Sequence, residues 1–146
     1  MREIVFRGKR IDNGEWISGD LRHWRSGKVG IHNDALRFTE VVIPETVGQY
    51  TGLKDVNGRR IFEGDILQGD DYPFFHAPSN TRNYFAEVIW FENSPAFGLF
   101  THKNPQSIVA GISNGNCDYM EDFEESHWEV IGNIHDNPGL LKEGAI

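Results

Sequence analysis

Along this chain, apolar and polar positions alternate far more often than they recur at helical spacing. In "EIVFRG", Ile4 and Phe6 fall on one face and Val5 and Arg7 on the other, the two-residue period of a strand. Asp12-Asn13-Gly14 follows, a hairpin signal because Asn and Gly accept positive φ. "EWISGDL" then reads as the partner strand, so residues 3–21 are expected to form a hairpin. Ser26-Gly27 marks a second turn. "LRFTEVVI" is a strand ended by Pro44, whose missing N–H cannot join a ladder.

Further on, Asn57-Gly58 is another turn, and "RIFEGDIL" reads as a strand interrupted at Gly64, where a bulge or a close backbone approach is expected. Residues 69–83, rich in Pro, Asp and Asn, are expected to be a loop. "YFAEVIWF" is the strongest strand signal, dense in aromatic and β-branched residues. "FGLFTH" and "QSIVAGIS" are weaker ones. In "NCDYMEDFEESH" the spacing of Tyr119, Met120 and Phe123, with Asn116 or Asp118 as a cap, predicts a short helix. "HWEVIGNI" is a last strand, and 136–146 a tail. The pattern predicts an all-β single domain over 1–146 with one hydrophobic core. The expected form is an SH3-like or similar small barrel with added β-hairpins and at most one or two short helices.

Composition changes this picture little. The 146 residues suit one domain. The apolar share is a modest 38%, but four Trp and ten Phe supply large rings that bury much area each. Cys117 is the only cysteine, so neither an internal disulfide nor a Cys-based zinc site is signalled. The amino-terminal residues carry no apolar secretory segment, and no run approaches a membrane span. The expected setting is a reducing cytoplasm, with no membrane partner.

Charge does change the picture. The net charge is -8, and it is uneven: residues 1–73 carry 11 Lys/Arg and 12 Asp/Glu, residues 74–146 carry 3 and 10. An acidic chain is a poor general ligand for nucleic acid, whose affinity comes mainly from Lys and Arg. A local basic patch is compatible with that. "RHWRSGK" places Arg22, Trp24, Arg25 and Lys28 together, a combination that can stack on bases and hold phosphates. It equally describes a charged edge that discourages aggregation.

Catalytic chemistry is not signalled. The six histidines are scattered, with no HxH, HxxxH or HExxH spacing. GxSxG and phosphate-loop motifs are absent. Cys117 lies beside acids that weaken a thiol as a nucleophile. The acidic run 118–125 lacks an EF-hand loop's spacing and glycine. No cofactor or metal is therefore expected, and the chain reads as a non-enzymatic binding module. Two alternatives remain: a nucleic-acid-associated module using the stretch 22–28, and a small enzyme with a site assembled only in space.

Three blocks, "REIVFRGKRIDNGEWISGDL" (2–21), "VGQYTGLKDVNGRRIFEGDIL" (47–67) and "WEVIGNIHDNP" (128–138), resemble the YopX family. They cover about a third of the chain and come in the family's order. The resemblance implies a predominantly β fold and a phage or prophage origin, with action inside a bacterial cell on a host or phage protein. It implies no catalytic residue.

The middle block has two readings. As scaffold, Gly52, Asp55, Asn57 and Gly58 make turns, and Asp65 bonds loop amides. As a site, Tyr50, Lys54 and Asp65 line a ligand groove. Exposed aromatics such as Trp24 or Phe74, with unpaired edge strands, would also suit a homo-oligomer.

Overall fold

The computed structural model describes residues 3–69, 84–91, 96–101, 117–119 and 128–140. Eleven strands are described: β1 (Phe6–Lys9), β2 (Trp16–His23), β3 (Val29–Asn33), β4 (Phe38–Val42), β5 (Gly48–Lys54), β6 (Arg60–Phe62), β7 (Asp65–Gly69), β8 (Tyr84–Phe91), β9 (Ala96–Thr101), β10 (Cys117–Tyr119) and β11 (Trp128–Asn133). One 3-10 turn, Pro44–Thr46, separates β4 from β5. The chain is mainly β, as its two-residue period requires. It divides into two compact units, Met1–Gly52 and Leu53–Ile146.

In the first unit the strand order is β4-β3-β2-β1-β5. β2 serves two ladders. Its first half pairs with β1 (Lys9 opposite Trp16, Phe6 opposite Gly19) and its second half with β3 (Asp20 opposite His32, His23 opposite Val29). The handover falls at Gly19, where a Cβ would collide with the His32 carbonyl oxygen, so only glycine lets the strands cross there. Ile17, Ile31 and Val42 form the core, with Phe6, Leu21, Val29 and Phe38 packed against them. These positions alternate with the outward ones along each strand, as the sequence period dictates.

Among the described residues neither sheet closes as a ladder, so the anticipated SH3-like barrel is not confirmed. The nearest approach is a single bridge, Arg10 to Val42. Two hydrogen bonds flank it, from Ile11 N–H to the Val41 carbonyl and from Ile43 N–H to the Lys9 carbonyl. Pro44 then ends the pairing because it has no N–H to donate.

In the second unit the order is β10-β9-β8-β7-β11, all antiparallel. β5 ends in this unit, and β6 is its hydrogen-bonded neighbour. Ile61, Leu67, Ala86, Val88, Leu99, Trp128 and Val130 are buried together, with Leu53 and Phe97 against them. Among the described residues, the buried apolar side chains fall into two clusters, one within each unit.

The turn between β5 and β6 is fastened by Asp55, which is 4% exposed. Its Oδ1 accepts the Asn57 and Arg59 amides at 2.9 and 2.8 Å, and its Oδ2 accepts the Val130 amide of β11 at 2.9 Å. Val56 N–H adds a bond to the Trp128 carbonyl at 2.9 Å. A buried carboxylate is tolerated when donors saturate it, and here three backbone amides do so.

One expectation changes at the second sheet's far edge. Cys117–Tyr119 is a strand on β9, not the start of a helix, because its backbone groups pair with Gly98–Phe100. Residues 120–127 of that predicted helix, the predicted strand at 106–113, residues 70–83 of the predicted loop, including Phe74, and residues 141–146 of the predicted tail lie outside the described residues. Asp55→Ala is expected to cost about 3 kcal/mol, because it strands the buried Val130 amide and loosens the turn. That corresponds to a fall of roughly 10 °C in melting temperature, measurable by circular dichroism; an unchanged melt would refute the role assigned to Asp55.

Candidate functional site

In the glycine-rich block, two of the three candidate residues are buried and bonded within the fold. Tyr50 lies in β5 and is buried, 5% exposed, with its N–H bonded to the Val5 carbonyl at 2.8 Å. Asp65 is 1% exposed, and its Oδ2 accepts the Phe62 amide at 2.7 Å across the β6–β7 turn. Gly64, at φ 92°, makes that turn. Its N–H reaches the Val88 carbonyl and its carbonyl takes the Ile134 amide, both at 2.9 Å. Of Tyr50, Lys54 and Asp65, only Lys54 is exposed. Asp65→Ala is expected to cost about 2 kcal/mol by orphaning the Phe62 amide, read as a lowered melting temperature; a variant that melts like the wild type would return Asp65 to the list of ligand contacts.

The basic-aromatic stretch is placed differently. Arg22 lies near the end of β2, and Trp24, Arg25 and Lys28 form the β2–β3 turn; all four are exposed. The turn is closed by backbone bonds, Trp24 N–H to the Lys28 carbonyl and Gly27 N–H to the Trp24 carbonyl, each 3.0 Å. Gly27, at φ 94°, takes a conformation costly for other residues. Trp24 stays 42% exposed, yet its ring is seated. A Cβ built on Gly30 would lie 2.6 Å from Trp24 Cη2 and 2.7 Å from Cζ3. The absent side chain of Gly30 is therefore the seat of the indole. Gly30 pairs with Arg22, so ring and guanidinium share the outward face.

That face continues across the sheet. Gly30 pairs with Val41, and Val41 neighbours Ile11 through the Ile11 N–H bond of 3.1 Å. Ile11 is 60% exposed and Ile43 37%. Lys9 lies across from Ile43 and also approaches the Trp16 ring at 5.8 Å. Trp24, Val41, Ile11 and Ile43 thus form an outward apolar strip with cations at its ends. Sequence reasoning missed the two isoleucines. Each precedes a turn (Asp12-Asn13-Gly14 and Pro44), where an apolar residue reads as the inward end of a strand. Beside the strip, hydrogen bonds from Arg10 to Asp12 hold the Asp12 carboxyl below its ordinary range and raise Arg10.

Three of the six histidines are described. His23 is exposed; His32 Nδ1 lies 2.8 Å from Thr39 Oγ1 and its Nε2 3.2 Å from Asp34; His135 belongs to the second unit. Asp34, 89% exposed, is too solvated to act as the buried orienting carboxylate of a triad. His76, His102 and His127 lie outside the described residues. Among the described residues, no group of three or more His, Cys, Asp or Glu is placed to hold a metal, and no helix is long and apolar enough to cross a membrane.

β1, most of β2, β5 and the turn that flanks Asp55 are built from the sequence blocks already quoted, and a family model spans them. The YopX protein family matches residues 5–142. This chain belongs to the YopX family. Among solved structures, this YopX chain is similar to the crystal structure of protein EF1440 from Enterococcus faecalis. The two are 23% identical, with a TM-score of 0.52, over 97% of this chain and 99% of that one. At that identity the likeness speaks for the fold alone. A search of curated proteins gave no match. In this YopX chain, Gly30→Val is expected to unseat Trp24. The Trp24 indole N–H resonance should move while those of Trp16, Trp90 and Trp128 stay, and an unmoved resonance would disprove the seating.

Proposed function

We propose that this chain is a non-enzymatic binding module and that the β2–β3 hairpin tip is its recognition element. The observation that carries this reading is the seated, exposed ring of Trp24, flanked by Arg22, Arg25 and Lys28. A large ring held in one place gives contact area at little entropic cost, and Trp and Arg dominate the energetics of recognition surfaces. Three cations around it favour an anionic partner. The polar residues of the glycine-rich block support this assignment by contrast, since Asp55 and Asp65 are engaged by backbone amides. The family resemblance adds a setting in the bacterial cytoplasm, with a host or phage macromolecule as the target.

The reading is tested with the immobilised full chain and lysate of a bacterium, with and without prophage induction. The wild type is expected to retain a macromolecule that the double variant Arg25→Glu with Lys28→Glu loses. Both positions are exposed, so the variant should melt like the wild type. Identical retention by the two chains, or none by the wild type, would overturn the proposal.

A further inference from the structure

We infer that the occupant of the outward face of the first sheet is an acidic polypeptide segment carrying apolar side chains. It would lie across β3 and β4 from Trp24 to Ile11 and Ile43. This rests on the recognition role of the hairpin tip and extends it from one ring to a strip.

Three observations choose the occupant. The first is the composition of the strip. Ile11 at 60%, Ile43 at 37% and Trp24 at 42% are exposed, and Val41 lies half-buried between them. Aliphatic side chains held in water form a surface for other aliphatic and aromatic side chains. They offer no donors to base edges and no flat rings for stacking, so the strip is a poorer match for nucleic acid than the tip alone.

The second is continuity. Arg22, Gly30, Val41 and Ile11 form one cross-strand row, three strand spacings long, or about 14 Å. An extended peptide of about four residues covers that length. Alternate side chains of such a peptide point toward the sheet, where Trp24, Val41 and Ile11 present apolar surface.

The third is charge. Arg22, Arg25 and Lys28 stand at one end and Lys9 at the other. Among the described residues, no hydrogen bond or ion pair holds the charged groups of Arg22, Arg25 and Lys28. The acids near the strip include Asp20 on the outward face, Asp12 and Glu40, which are both paired with Arg10, exposed Glu15, and Glu45 beyond Pro44. The tip end of the strip therefore attracts carboxylates, while its middle takes apolar groups. An acidic-apolar segment satisfies both; a basic or purely polar one satisfies neither.

The test is selection of a random peptide library on the immobilised full chain, followed by affinity measurements at low and high salt. Enriched peptides are expected to combine Asp or Glu with Leu, Ile or Phe and to bind more weakly as salt rises. Trp24→Ala and Ile11→Glu should each weaken them by about tenfold or more, with melting curves confirming that both variants fold. Peptides that bind Ile11→Glu as well as the wild type, yet are lost by Arg25→Glu with Lys28→Glu, would overturn the strip and leave the tip. Enrichment without acidic residues would overturn the inference. So would retention of oligo(dT) in place of any peptide; its loss in the tip variant would preserve the tip as a nucleic-acid element. Peptides indifferent to both variants, or no enrichment and no oligo(dT) retention, would overturn the strip and the tip together.

Discussion

The carboxylate of Asp55 holds together chain segments that the sequence keeps far apart. One oxygen shapes the β5–β6 turn by accepting the Asn57 and Arg59 amides; the other accepts Val130, 75 residues downstream. The turn is thereby fixed against β11, and Asn57 Nδ2 adds a contact to Glu129 at 3.0 Å. Trp128 and Val130, either side of Glu129, supply buried surface to the second unit's core. Residues 47–67 and 128–138 are thus parts of one arrangement. A charged acceptor that lost any of these donors while buried would cost more than an ordinary hydrogen bond returns.

The same economy explains the β6–β7 turn and the end of β11. Asp65 takes the Phe62 amide, and Asn133 Oδ1 takes the amides of His135 and Asp136 at 3.0 and 2.9 Å. In each place a short side chain supplies the acceptor that a tight reversal leaves wanting. Their polarity, which made the block look like a ligand groove, is largely spent on the chain itself. The β2–β3 tip is the reverse case. The Trp24 and Gly27 amides are met by the turn's own backbone and the Lys28 amide by Ser26 Oγ, and the tip's charged side chains are exposed.

Much of the fold was legible because it depends on local period and turn chemistry. The Asn-Gly pairs, Gly64 and Pro44 each mark a real boundary, and the strands at 84–91 and 128–133 follow their β-branched and aromatic content. What failed depends on long-range pairing. Cys117–Tyr119 has helical spacing nearby, but Phe100, Leu99 and Gly98 offer it a ladder, and pairing outweighs a weak local preference. Closure into a barrel was unreadable for a similar reason. It requires β1 and β4 to meet along their length, and they meet at one bridge. Alternation says that a strand has an inner face but not which other strands share it, so the membership of each buried cluster could not be read from it either.

The candidate site was half legible. Arg22, Trp24, Arg25 and Lys28 are neighbours in sequence, so their grouping needs no fold. Ile11, Val41 and Ile43 join them only through the register of two ladders and one bridge, and Gly30 becomes the seat of Trp24 only once β2 and β3 are paired. Gly30 is the more telling residue. A strand interior ordinarily disfavours glycine for its backbone freedom and missing contacts, and here that missing Cβ makes the space the indole fills. The indole covers the gap yet leaves 42% of the residue in water. Filling a gap needs only a short aliphatic side chain at position 30. A ring delivered from six residues away, with its far side left open, supplies in addition a rigid surface for something else to meet.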